Sequence, residues 1–250
     1  TAIPDSNFEQ ALIDLGIDTN PTIDGQVLTA NIEGVTNLDV SSKNIADLTG
    51  IEGFIALTEL NCLDNQLTSL NVTNNTAFIN FRCDGNQLTS LDVSNNIALT
   101  IFNCGSNLLT SLDVSNNPAL TTLYCDNNQL TSLDVSANTA LTQLYCFGNQ
   151  LTSLDLSANP ALDSMYCNNN QLISLDVSNN IALTELYCYG NQLTSLDVTN
   201  SNALSVLSCG GNLLTSLDVS NNIALTNLNC GDNSLENIDV SNNIALQTLF

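Results

Sequence analysis

The 250-residue chain has no histidine and no tryptophan, and only Lys43 and Arg82 stand against 25 acids. Without histidine it lacks the most common general base and the most common metal ligand. Scarce positive charge excludes a phosphate-binding surface, because a formal net charge of −23 repels nucleic acid and anionic bilayers alike. No run approaches the roughly 20 apolar residues that a spanning helix needs. From Thr1 onward there is no charged segment followed by an apolar one, so the chain reads as a soluble, already processed segment with no direct membrane insertion. Neither a glycine-rich phosphate loop nor a nucleophile motif is present, which makes a non-enzymatic role the expectation. Charged residues make up only 11% of the chain, so its exterior must be built chiefly from Asn, Ser and Thr.

What the chain does have is a period. Cys62, Cys83, Cys104, Cys125, Cys146, Cys167, Cys188, Cys209 and Cys230 recur every 21 residues without a slip. A fixed period of this size is the mark of a solenoid, in which each coil buries its apolar face against the next. Each cysteine fills the last apolar slot of a short pattern, as in Leu120-Thr-Thr-Leu123-Tyr-Cys125. The cysteines are therefore expected as buried thiols acting as small hydrophobes, not as disulfides or metal ligands. Each coil contains two nine-position words, for example Leu120-x-x-Leu123-x-Cys125-x-x-Asn128 and Leu130-x-x-Leu133-x-Val135-x-x-Asn138. Apolar residues alternate over the last part of each word, which predicts a short strand in both. The closing asparagines predict two amide ladders, the second broken at Ser201.

The expected fold is thus a mostly β solenoid of about ten coils of 21 residues, with parallel sheets on two faces and little curvature. Residues 1–34 form an N-terminal cap and 35–250 one continuous repeat domain. In the cap, Asp5 or Ser6 can start a helix over Asn7–Leu15 that Gly16 ends, with Phe8, Leu12 and Leu15 covering the first coil. The last word begins at Leu246 and the sequence stops inside it, so an open sheet edge capable of self-association is expected there.

The words Leu-x-x-Leu-x-Leu/Cys-x-x-Asn-x-Leu resemble the leucine-rich-repeat consensus over most of the chain. The N-terminal run, with Pro4-Asp-Ser-Asn-Phe8 and Asn44-Ile-Ala-Asp-Leu48-Thr-Gly-Ile51, looks like the cap and first coil of secreted bacterial surface proteins of flavobacterial type and, more loosely, of internalin-like adhesins. That resemblance implies secretion or cell-surface display and an interaction role. It names no ligand.

Differences among the coils point to a candidate site. The central outward position of the first word reads Asn61, Arg82, Asn103, Tyr124, Tyr145, Tyr166, Tyr187, Ser208, Asn229 and Phe250. Tyr189 joins from the next outward column, beside Phe147, with Glu185 close by. Such a strip has ring faces and hydroxyls that could receive an extracellular glycan or an extended segment of protein, or it could simply stabilise the sheet. Arg82 either holds an acidic group of a ligand or relieves acids such as Asp84.

The second word presents Ser-x-Asp-x-Ser outward, and its carboxylates Asp92, Asp113, Asp134, Asp155, Asp176, Asp197, Asp218 and Asp239 form an unbroken column. Two readings stand: local hydrogen bonds that favour the ionised form, and calcium bridging. No resident cofactor is otherwise expected. The run Asp18-Thr-Asn20-Pro-Thr-Ile-Asp24-Gly25 offers oxygen ligands but lacks EF-hand spacing. Function then lies between an extracellular recognition module working through the aromatic strip and a structural spacer or stalk.

Overall fold

A computed structural model describes all 250 residues, as two compact units, Thr1–Leu120 and Thr121–Phe250. Each unit is a parallel β-solenoid. The first opens with helix α1 (Ser6–Asp14) and a short helix α2 (Thr29–Ile32), followed by strands β1 (Asn37–Asp39), β2 (Glu59–Asn61), β3 (Asn80–Arg82) and β4 (Ile101–Asn103). The second carries β5 (Thr122–Tyr124), β6 (Gln143–Tyr145), β7 (Ser164–Tyr166), β8 (Glu185–Tyr187), β9 (Val206–Ser208), β10 (Asn227–Asn229) and β11 (Thr248–Leu249). Strands pair in register, slot for slot: Leu60 with Phe81 and Phe81 with Phe102 in the first unit, Leu144 with Met165 and Met165 with Leu186 in the second. The step from β1 to β2 is 22 residues, and from β2 onward a period of 21 with no slip puts like residues side by side. The leucines and cysteines of the first word are therefore buried as far as Leu228 and Cys230, as expected, with the cysteines in the core as thiols, while in the last word Leu249 is 46% exposed. Burial holds the thiols of Cys83, Cys146 and Cys188 well above their ordinary pKa and lifts that of Cys167 to about 12.

The cap forms as its residues predict. Asp5 Oδ1 accepts the N–H groups of Asn7 and Phe8, while its Oδ2 accepts those of Ala46 and Asp47, which ties the helix start to the first coil. Gly16, at φ +71°, supplies the left-handed residue that ends the helix. Phe8 and Leu12 are buried, but Leu15 is 50% exposed, which corrects the expectation that it covers the first coil. The inner face is completed by Glu9, a carboxylate whose place there the apolar pattern does not reveal. It is fully buried and accepts the N–H groups of Asp24, Gly25 and Gln26.

Strands occur on the first-word face alone, so the expected second ladder does not form. Its backbone groups are claimed by side chains and turns. Asp134 takes the N–H of Ser136 at 2.9 Å, Asn138 N–H closes a turn on the Val135 carbonyl at 3.0 Å, and the same carbonyl accepts the Asn159 amide at 3.1 Å. A segment whose donors and acceptors are already satisfied has none left for a neighbouring strand.

Both asparagine rows are present, and they are not equivalent. In the first, Asn170 Nδ2 donates to the carbonyls of Cys146 at 3.0 Å and Cys167 at 3.1 Å, while its Oδ1 accepts the Leu151 N–H at 3.0 Å. In the second, Asn180 Nδ2 donates to Leu156 and Asn159 carbonyls, but the amide oxygens of Asn159, Asn180 and Asn222 are buried without a partner. That row is held through its donors. At Ser201 the hydroxyl is buried and also unpartnered, so the Val177 and Asn180 carbonyls receive no amide from this side chain. Replacing Asn170 by Ala should lower unfolding free energy by at least about 2 kcal/mol, because several buried backbone groups lose their partner. Ser201→Asn should raise it by about 1 kcal/mol by restoring the missing donor. Urea-denaturation midpoints of the two variants against the parent check both.

Candidate functional site

Parallel register places Tyr124, Tyr145, Tyr166 and Tyr187 side by side at the ends of β5–β8. In each of these strands the middle residue is buried and the flanking ones are half-buried, so the tyrosines lie outward on the sheet. The rings stack, with centroids 4.4, 4.5 and 4.4 Å apart along the row and interplanar angles of 18°, 21° and 14°. These distances are shorter than the strand spacing of about 4.8 Å, so the rings lean on one another. Tyr145 and Tyr166 therefore have both faces covered by neighbouring rings. They offer edges and hydroxyls, whereas the residues by themselves suggested open faces.

Acids surround the row. The Tyr166 hydroxyl donates to Glu185 Oε2 on the neighbouring strand. Desolvation, then this bond and the charge of Glu185, hold the Tyr166 phenol far above its ordinary pKa. Tyr145 is shifted the same way, first by desolvation and then by Tyr124 and Glu185, with Asp163 contributing. Asp163 was not singled out from sequence. It occupies the slot filled by Thr142 and Thr184 in adjacent coils, where a threonine hydroxyl donates to the preceding coil's backbone. The Asp163 carboxylate cannot donate when ionised, and its Oδ1 is buried without a partner. The slot is visible in the 21-residue alignment as the one acid in a column made mostly of threonine and serine.

Tyr189, 37% exposed, and Phe147 lie on the adjacent outward column and take no part in the stack. Arg82 is in the first unit, where its Nη2 pairs with Asp84 Oδ2 at 3.3 Å. That is the local arrangement anticipated as one of its two roles.

The aspartate column is capped locally. Asp92 and Asp113 in the first unit, and Asp155, Asp176, Asp197, Asp218 and Asp239 in the second, each accept the N–H of the residue two positions on at 2.9 Å. For all but Asp239 the neighbouring hydroxyl is the largest cause of a lowered pKa, followed by that N–H. At Asp239 the order is reversed. No cluster of three acids, histidines or cysteines within reach of one ion forms along it.

Residues 118–159 match the family model described as leucine-rich repeats in two copies. The fold is the leucine-rich-repeat solenoid. Among solved structures of that fold, the functional domain of InlJ from Listeria monocytogenes, described as including a cysteine ladder, is similar with TM-score 0.80 and 37% identity over 99% of this chain. The present chain spans 59% of the length of that domain. Internalin InlF from the same species is similar at TM-score 0.72 and 20% identity, over 100% of this chain and 89% of InlF. The ectodomain of the Arabidopsis thaliana receptor kinase GASSHO1/SCHENGEN3, in complex with CASPARIAN STRIP INTEGRITY FACTOR 2, is similar at TM-score 0.71 and 24% identity, over 81% of this chain and 27% of the ectodomain. No curated protein matches by sequence.

On this leucine-rich-repeat scaffold the aspartate caps give a pH-dependent prediction. Ser157→Ala removes the hydroxyl that does most to lower Asp155, so the Asp155 pKa should move up toward its ordinary value while Asp176 stays put. A carboxylate with a depressed folded-state pKa adds stability above its unfolded pKa and loses it as pH falls through the folded value. The variant narrows that window from its acid side. Carboxyl-carbon NMR titration reads the shift directly.

Proposed function

We propose that the chain is an extracellular or cell-surface recognition module that binds a protein partner along the tyrosine row of β5–β8. The observation that carries this is the row itself: four stacked tyrosines, flanked by Glu185 and Asp163, on the one face whose outward residues change from coil to coil. Similarity to the internalins, and the factor bound by the plant ectodomain, support an interaction role and surface display.

The ring geometry favours protein over glycan. A sugar platform needs open ring faces, and those of Tyr145 and Tyr166 are occupied by their neighbours. A protein surface with donors can meet the phenol oxygens and ring edges instead. Residues 121–250 contain acids but no lysine, arginine or histidine. The complementary partner surface is therefore basic, and its association should be fast and sensitive to salt.

A second reading, a spacer or stalk with no ligand of its own, is supported by the monotony of the Ser-x-Asp-x-Ser face. Screening the intact chain against extracellular proteins and glycans, with calcium and again with chelator, separates the two. A protein ligand is expected whose binding falls at least tenfold when Tyr145 and Tyr166 are both changed to Ser and weakens as salt rises. Binding that survives the double change places recognition elsewhere, and silence in both conditions favours the spacer. Dependence on chelator that is abolished by Asp155→Asn with Asp176→Asn would bring the aspartate column into the interface.

A further inference from the structure

The loop between α1 and α2 carries a charge that the fold leaves unanswered. Asp18, Thr19, Asn20 and Asp24, together with Thr1 and Thr29, line an open cavity of about 390 Å³. Asp18 is only 4% exposed. Its Oδ1 accepts the Asn20 N–H at 3.0 Å, but its Oδ2 is buried with no hydrogen-bond partner. No ion pair reaches it within the unit: the Thr1 ammonium donates to the Val27 carbonyl and the Thr29 hydroxyl, Arg82 is paired with Asp84, and Lys43 forms no salt bridge.

Glu9 shows what this cap does with a carboxylate it intends to bury. Both its oxygens receive backbone N–H groups, from Asp24, Gly25 and Gln26. A buried carboxylate oxygen without donor or counter-ion is unfavourable enough to require an explanation, and an oxygen-seeking cation is one. Other oxygens converge on the same cavity. Asn20 Nδ2 donates to Asp24 Oδ2 at 2.8 Å, so these side chains already meet, and turning the Asn20 amide over releases its oxygen from the Thr22 N–H, held at 3.2 Å, and presents it where the nitrogen lies.

We infer that Asp18, Asn20 and Asp24 form a calcium site in this loop. No third acid, histidine or cysteine joins the two aspartates, so the remaining ligands are neutral oxygens from amide, hydroxyl, carbonyl or water. An all-oxygen set suits a hard cation and gives nothing to one that prefers nitrogen or sulfur. Flexible coordination by an irregular loop suits calcium better than magnesium, which demands near-ideal octahedral geometry. Two charged ligands correspond to the weak class of extracellular sites, with a dissociation constant on the order of 10⁻⁴–10⁻³ M.

The site is independent of the tyrosine row and is tested on the intact, chelator-stripped chain by calcium titration followed in amide NMR. Expected is a saturable shift of the Asn20, Thr22 and Gly25 amides, unaffected by equimolar magnesium. In Asp18→Asn, a neutral isostere, that affinity should fall at least tenfold; in Asp155→Asn, which alters the aspartate column, it should be unchanged. Loop amides that do not respond to calcium in the parent chain, or that respond equally in Asp18→Asn, overturn the inference. The parent titration is decisive even if Asp18→Asn fails to fold.

Discussion

From Asn65 to Asn212 a buried asparagine amide closes each coil of the strand face, and the geometry of that side chain constrains everything around it. Its nitrogen has two donors and its oxygen can accept, and at Asn170 both find backbone partners: the carbonyls of Cys146 and Cys167 on one side and the Leu151 N–H on the other. One side chain thus satisfies groups in two coils. That bond pattern is kept most simply when coils have equal length; the first coil is one residue longer, and there Asn65 adapts by accepting the N–H groups of both Lys43 and Ile45 while still donating to the Val40 and Cys62 carbonyls. The invariant 21-residue spacing, the all-apolar inner slots and the like-to-like pairing of β5 through β11 follow from this requirement. Just before each asparagine the chain turns through a left-handed residue, at Asn127, Gly148, Asn169 and Gly190 among others. Glycine and asparagine tolerate that conformation with least strain, which explains the composition of the bends.

The parts of the fold that repeat were legible in the sequence because repetition averages out local ambiguity. Alternation in one coil is weak; the same alternation at Leu123, Leu144, Met165 and Leu186 is not. The helix of the cap was legible for a different reason, since Asp5 and Gly16 are end signals with a mechanism. What escaped the sequence depends on competition for hydrogen bonds. Alternation in the second word is as regular as in the first, yet no ladder forms, because Asp134 and Asn159 side chains occupy the backbone groups a neighbouring strand would need. Burial of Glu9 and exposure of Leu15 are likewise invisible to a polarity pattern, which scores each residue without knowing which N–H groups lie opposite it. Within the site, the tyrosine positions were readable but the closure of their ring faces was not, because it depends on a lean of a few tenths of an ångström.

Charge follows the same logic of local satisfaction. The aspartate column would repel itself if each carboxylate stood alone, at about 0.9 kcal/mol per neighbouring pair even in water. Each instead lies in a bend that offers a backbone N–H, and most are stabilised first by a serine or threonine hydroxyl. The repeated Asp-Val-Ser is therefore a structural unit: the acid organises the turn, and the turn stabilises the acid. This accounts for a strongly acidic chain that needs almost no lysine or arginine to fold. It also sets apart the two carboxylates that keep a buried oxygen without a partner, Asp18, whose other oxygen accepts the Asn20 N–H, and Asp163.

In a coil of this kind nearly every position has a structural duty. The inner slots pack, the bend residue must accept a left-handed backbone, the asparagine bridges coils and the aspartate organises the second turn. The outward positions of the strand are the exception: their backbone is already paired, and their side chains contribute nothing the next coil requires. Variation is free to collect there, and in β5–β8 it has taken the form of four tyrosines. Their mutual stacking has a consequence for binding. A ring held between two others cannot rotate away, so little side-chain entropy remains to be lost when a partner arrives. Glu185 anchors the Tyr166 hydroxyl in addition, which fixes where that phenol oxygen can accept a bond. The contacts that reinforce the sheet also hold the rings in place, so a stabilising role and the recognition role proposed for the stack draw on the same contacts.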